Sequence, residues 1–194
     1  MRVMMRTVRF LVGAVILSGC GRYMAPVPPE MLAPVAVENL VVTPSDTGMF
    51  FSWSAPEKDR RGRELKDFDG YSVERKEISK RGDETDPSIR FTELAFISDT
   101  HIEKRDELRE EARAAGKISR TVKAPAELTK FSYTDGTPRN GVTYIYQIVP
   151  TNNGGVKGQV GQVIKVAFQG AQSAVMLTNS QEIEDLAAAQ LPPQ

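Results

Sequence analysis

One cysteine and one histidine limit the covalent chemistry open to this chain of 194 residues. Cys20 has no second cysteine to pair with, so an intramolecular disulfide and a thiolate metal cluster are both excluded. A serine or cysteine triad would have to recruit His101, whose place at a predicted helix start reads as incidental. Aspartate and glutamate total 25, but they lie among lysines and arginines on segments expected to be exposed. An acid–base catalyst needs an apolar pocket that raises its pKa, and none is legible. Asp67 and Asp69 share a loop where calcium could touch them, without the spacing of an EF-hand. Gly154 and Gly155 follow a strand pattern with no helix after them, which is not the context of a phosphate cradle. The expectation is a non-enzymatic protein with no catalytic residue, metal site or bound cofactor.

The exception is the neighbourhood of Cys20. Arg2, Arg6 and Arg9 precede an apolar run, Phe10 to Leu17, far shorter than the ~20 residues needed to cross a bilayer. The run ends in Leu17-Ser18-Gly19-Cys20. A core helix would not begin behind three arginines and stop at Gly-Cys-Gly, and an ordinary secretory signal has no need of cysteine at its cleavage point. The stretch resembles the lipobox of bacterial lipoproteins. That resemblance implies a signal peptide over residues 1–19, cleavage before Cys20, a diacylglyceryl thioether on its sulfur and acylation of the new amino terminus. It also implies a cell-envelope location with the membrane as partner. Gly21 stands where inner-membrane retention in enteric bacteria favours aspartate, so the expected destination is the outer membrane.

Bulk composition agrees with a globular product: 40% of residues are hydrophobic, 26% are charged and the formal net charge is zero. Loss of the three leader arginines leaves 22 basic residues against 25 acidic. A mildly acidic chain has no electrostatic footprint for nucleic acid.

Residues 20–33 read as a lipidated cysteine followed by a tether, in which Pro26, Pro28 and Pro29, with Pro34 just beyond, favour extended chain and oppose a helix. From residue 34 the apolar positions alternate as in strands. Leu40 and Val42 share one face; Met49, Phe51 and Trp53 share another; Thr43 to Gly48 between them is rich in turn residues. Trp53 is the only tryptophan, and a ring of that size on an inward face plugs a core. A charged run from Glu57 to Lys66 reads as a solvated loop. Tyr71 and Val73 then face one way and Ser72 and Glu74 the other.

Trp53 with Ala55-Pro56, then Asp69-Gly70-Tyr71-Ser72-Val73-Glu74-Arg75, resembles the second and third strands of a fibronectin type III domain. Tyr144, Tyr146 and Ile148 on one face, followed by Asn152-Asn153-Gly154-Gly155, resemble the sixth strand and the turn into the seventh. The resemblance implies an all-β, immunoglobulin-like sandwich over residues 34–169, with Trp53, Tyr71, Val73, Tyr144, Tyr146 and Ile148 in its core. Tyr144 becomes the candidate for a tyrosine corner. Phe131, Tyr133 and Asp135 fit the preceding strand, although Gly136-Thr137-Pro138 replaces the leucine common there. Ile164, Val166 and Phe168 supply the inward face of the expected last strand.

Insertions are expected at about 57–68, 79–90 and 99–128. The second includes a polar loop, Lys80 to Pro87, before a strand at Phe91 to Ser98. The third is helical: Thr100-His101-Ile102-Glu103 has the form of a capping box and Gly116 can close the far end. Lys104/Glu107, Asp106/Arg109 and Glu110/Arg113 are opposite charges at i, i+3, and Leu108, Ala112 and Ala115 leave a narrow apolar stripe. Residues 170–194 carry no strand pattern and read as a flexible tail.

Arg81-Gly82-Asp83 is a cell-adhesion tripeptide in some fibronectin type III domains, where it occupies the loop between the last two strands. Here it follows the third strand in a run rich in these residue types, and chance composition accounts for it. The resulting expectation is a lipid-anchored envelope protein whose module binds a protein or a glycan. An accessory carbohydrate-active protein and a structural spacer are the alternatives.

Overall fold

The computed structural model describes residues 26–79, 86 and 88–180. Leu17, Ser18, Gly19, Cys20 and the Arg81-Gly82-Asp83 tripeptide lie outside the described residues. No helix among the described residues is long and apolar enough to cross a membrane.

The chain enters through one helical turn, α1 (Pro29–Leu32), in a segment whose prolines were expected to oppose any helix. The physical reason is positional: Pro29 occupies the first helical position, where its missing N–H would have had no partner anyway and its fixed φ suits the turn.

Eight strands follow among the described residues: β1 (Glu38–Ser45), β2 (Gly48–Ser54), β3 (Gly70–Ile78), β4 (Thr92–Ser98), β5 (Lys130–Asp135), β6 (Thr143–Thr151), β7 (Gln162–Ala167) and β8 (Ala174–Asn179). They form two antiparallel sheets, of order β1-β2-β5 and β4-β3-β6-β7-β8, and these make a sandwich. The β1–β2 hairpin turns on Asp46-Thr47 alone, with Ser45 opposite Gly48. Pro44 therefore lies within β1; a proline is tolerated there because β1 is an edge strand.

Inward side chains alternate as period two demands. Met49, Phe51 and Trp53 from one sheet meet Tyr71, Val73, Tyr144, Tyr146 and Ile148 from the other, all buried. Trp53 stands edge-on to Tyr71 at 5.4 Å between ring centroids, and Phe51 meets Tyr146 at 4.9 Å. Such aromatic contacts add about 0.5–1.5 kcal/mol each beyond their area. Gly48 allows the first sheet to close: a Cβ there would sit 2.1 Å from the Asp135 carbonyl oxygen.

Two expectations change. Ile164, Val166 and Phe168 are buried, but the strand carrying the first two is not the last, because β8 pairs along it from Gln162↔Asn179 to Ala167↔Ala174. Residues 170–180 thus include an edge strand where a tail was expected. Its alternation is weak because the outer side of an edge strand is solvated, leaving Met176 and Leu177 exposed while Val175 packs on the core. The loop from residue 57 to 68 is also less solvated than its charge suggested, since Asp59, Leu65 and Phe68 are buried in it.

Candidate functional site

Below the ends of β2 and β3, two insertions fold against each other. The first runs from Glu57 to Phe68 and is a small hairpin, with Leu65 N–H donating to the Glu57 carbonyl at 3.0 Å. Asp59 organises it by accepting from the Arg61 and Arg63 backbone N–H groups at 2.9 and 3.0 Å and from the Arg61 guanidinium at 2.6 Å. Burial pushes the Asp59 carboxyl up, but the Arg61 and Arg63 hydrogen bonds prevail and hold it below its ordinary value. Arg60 N–H and Val35 N–H then tie the hairpin to the chain around Ala33 at 3.0 Å each.

The second insertion is the helix α2 (His101–Ala114) and its return. Its start corrects the expected capping box: Thr100 makes no side-chain cap hydrogen bond. Asp99 does that work instead, its Oδ1 accepting from His101 N–H at 2.8 Å. The other oxygen, Oδ2, accepts from the Tyr71 hydroxyl at 2.7 Å and lies 2.8 Å from His101 Nδ1. His101 is therefore not incidental. Buried to 4% exposure and edge-on to Phe68 at 5.6 Å, it locks the helix start to the core through Asp99. Its Nε2 has no hydrogen-bond partner, so no hydroxyl among the described residues stands in nucleophile position against it.

The far end closes as the glycine suggested. Gly116, at φ +68, donates to Arg113 and Lys117 donates to Ala112, the paired bonds of a Schellman motif. The buried face of α2, however, is His101, Ile102 and Arg105, not the stripe of Leu108, Ala112 and Ala115. Ala115 is exposed and the other two are half-buried; the hairpin is met instead by His101, against Phe68, and by Arg105, against Leu65.

Charged side chains join the insertions. Arg105, 7% exposed, donates to the Leu65 carbonyl at 2.9 Å. Arg109 clasps Glu64 with both terminal nitrogens, at 2.6 and 3.0 Å, and donates through Nε to the Val122 carbonyl at 3.0 Å. That clasp holds Glu64 below its ordinary pKa and Arg109 above its own. Of the three expected helix pairs, Lys104–Glu107 closes at 2.7 Å and Glu110–Arg113 also closes, while Asp106–Arg109 stands at 4.0 Å because Arg109 serves Glu64.

Between hairpin, helix and returning chain lies a cleft of about 500 Å³, within the size range of ligand pockets. Lys58, Arg105, Arg109, Arg120 and Lys123 line it, against Glu38, Glu57 and Glu64. Ala55, Ile102, Ala124 and Ala126 supply its apolar wall. No group of three or more His, Cys, Asp or Glu side chains among the described residues could hold a metal.

The sequence placed none of this. Its core residues Trp53, Tyr71, Val73, Tyr144, Tyr146 and Ile148 lie in the sandwich, and only Tyr71 reaches toward the cleft, through Asp99. One signal was available: His101, Arg105 and Arg109 recur every fourth residue, which puts them on one helix face. The expectation that carboxylates sit exposed also fails for Asp59, Glu74, Asp99 and Asp135, all buried. Asp135 accepts from Arg75 at 2.6 Å, Tyr146 at 2.9 Å and Thr137 at 2.7 Å. Glu74 accepts from Lys157 at 2.5 Å and Gln147 at 2.6 Å. Burial raises both carboxyls, yet these partners hold each below its ordinary value.

No protein-family model matches the chain. No curated protein matches it in sequence. Among solved structures it is similar to the twitchin kinase region from C. elegans (Fn31-NL-kin-CRD-Ig26), at 14% identity and a TM-score of 0.37. That match covers 68% of this chain and 16% of the other, so the chain spans about a sixth of the solved structure's length. Over the described residues the chain is a mostly β sandwich of two antiparallel sheets, three strands and five, with one helix of 14 residues folded beside it.

Proposed function

We propose that this protein is a lipid-anchored, non-enzymatic component of the cell envelope, in which a fibronectin type III-like sandwich presents the cleft between its insertions to a binding partner. The carrying observation is that cleft. Two insertions 30 residues and more apart in sequence are fastened to each other by Arg105–Leu65 and Arg109–Glu64, so the fold maintains a walled recess instead of loose loops. Support for the fibronectin type III reading comes from strand order, β1-β2-β5 against β4-β3-β6-β7, and from the Tyr144 hydroxyl, which accepts from Arg139 N–H at 3.0 Å in the manner of a tyrosine corner. Support for the anchor comes from Leu17-Ser18-Gly19-Cys20 behind three arginines. The outer membrane is the proposed destination, on the strength of Gly21.

Two measurements test the reading. In its own cell the protein should sediment with membranes and incorporate labelled palmitate, and Cys20→Ala should be soluble, unlabelled and folded. Recovery of that variant in the membrane fraction overturns the anchor. A photo-crosslinking residue at Thr121, which lines the cleft, should capture an envelope component that the same residue at Thr134, exposed at the far end of β5, does not. Equal capture from both positions overturns the binding role.

A further inference from the structure

We propose that the cleft receives a short acidic peptide segment of a partner protein, with carboxylates set against Lys58 and Arg120 and small apolar residues against the alanine wall. This inference rests on the reading of the cleft as the binding site.

Charge is the first argument. The lining holds five cations and three carboxylates, a surplus of two in a chain whose formal net charge is zero. Arg105 and Arg109 are committed to Leu65, Asp106 and Glu64. The side chains of Lys58 and Arg120 have no hydrogen-bond or ion-pair partner among the described residues, and both are exposed. Lys123 meets Glu57 at 3.2 Å, but both are solvated, at 77% and 66% exposure. An exposed pair of that kind contributes little to stability, so Lys123 can exchange Glu57 for an incoming carboxylate at little cost. Three cations are thus available along one recess, while Arg105 and Arg109 reinforce the potential there without being free to move.

The wall chemistry selects the class of anion. Sugar rings are bound by aromatic faces, and none of the lining residues is Phe, Tyr or Trp. Ala55, Ile102, Ala124 and Ala126 instead offer shallow aliphatic contacts that fit alanine- or valine-sized side chains. A volume of about 500 Å³ holds a few residues of peptide and excludes a folded surface. Spaced carboxylates with small apolar groups between them meet both features, and a neutral or acidic glycan meets only one of them at best.

The test uses the purified full chain and two probes, Glu-Ala-Glu-Ala and Gln-Ala-Gln-Ala, followed by amide and methyl chemical shifts. The acidic probe should perturb Ile102, Thr121, Ala124 and Ala126, and its affinity should fall on the order of tenfold in each of Arg120→Ala and Lys58→Ala, the loss of one charge-assisted contact. Raised salt should weaken it further. Both variants remove exposed, unpartnered side chains, and an unchanged melting temperature certifies their fold. Equal binding of the glutamine probe, absence of binding, or tighter binding of trigalacturonate in the same cleft each overturns the proposal. A Thr121 crosslink to a protein segment without acidic residues, or to a glycan, also overturns it while leaving the binding-module reading intact. Equal crosslinking from Thr121 and Thr134 removes both.

Discussion

Tyr71 and His101 meet on one oxygen: the Tyr71 hydroxyl donates to Asp99 Oδ2 at 2.7 Å, and His101 Nδ1 lies 2.8 Å from the same atom. Tyr71 belongs to the interior strand β3 and packs on Trp53 and Phe131. His101 opens the helix that walls the cleft. Burial first, and then the charge and hydrogen bond of Asp99, push the Tyr71 phenol well above its ordinary pKa, so it stays a donor. One carboxylate thereby couples the core of the sandwich to the insertion, beside the packing of Phe68 and Ile102.

Asp99→Ala should therefore destabilise the protein more than Tyr71→Phe. The first leaves the Tyr71 hydroxyl, His101 N–H and the imidazole without their acceptor, at about 1–3 kcal/mol for each group left unsatisfied. The second removes one hydroxyl, for about 1 kcal/mol. Chemical denaturation of both variants checks the order, and a larger loss in Tyr71→Phe would show that Asp99 does not join the two elements.

A second buried carboxylate governs acid stability. Asp135 is held below its ordinary pKa by Thr137, Tyr146 and Arg75 despite its burial. Because its folded value lies below the unfolded value of ~3.9, its contribution is complete above that pH and is lost as pH falls through the folded value. Asp135→Asn should cost about 3 kcal/mol at pH 7, the penalty for leaving a buried partner uncompensated. The gap from the parent should narrow as pH drops below 4. Urea midpoints measured between pH 7 and pH 2 check the sign, and a constant gap would remove the assignment.

Tyr144→Phe isolates the corner bond. Arg139 N–H loses its acceptor while the ring stays packed at 6.1 Å from Tyr146 and under the Arg75 guanidinium. The expected loss is about 1 kcal/mol. Tyr144→Ala should lose 3–5 kcal/mol by also opening a cavity, and thermal melts separate the two.

β8 should act as a cover for β7. A chain ending at Ser173 loses the ladder from Gln162 to Ala167 and the packing of Val175, and should be less stable by roughly 1–3 kcal/mol. The bared β7 edge should also pair between copies, giving dimers or larger species in size-exclusion chromatography. A chain ending at Ser180 keeps β8 and should remain as the parent; identical elution of the two truncations would refute a capping role.

Alternation made much of the sandwich legible. Met49, Phe51 and Trp53, then Tyr71 and Val73, then Tyr144, Tyr146 and Ile148 announce their inward faces because strand period is a property of neighbouring residues. The same logic explains the misses. β8 shows little alternation, since an edge strand draws its stability from backbone pairing with β7 and needs only Val175 inside. The short helix at Pro29 was hidden because a proline that breaks a helix interior is welcome at its first position.

The cleft was not legible for a different reason. Composition and spacing could show that Glu57–Lys66 and the helix from His101 are charged, and charge on a segment ordinarily means solvent. Which charge meets which depends on the paths of two insertions. Arg109, spaced to pair with Asp106 one turn away, serves Glu64 from across 45 residues instead. By itself the sequence determined that a lone cysteine leaves no intramolecular disulfide, which is a matter of counting, and the inward faces of most strands, which are local. Only the tertiary structure decided that His101 is an anchor, that four acidic side chains are buried with partners, and that two polar insertions enclose a cationic recess, because those depend on distances between residues far apart in the chain.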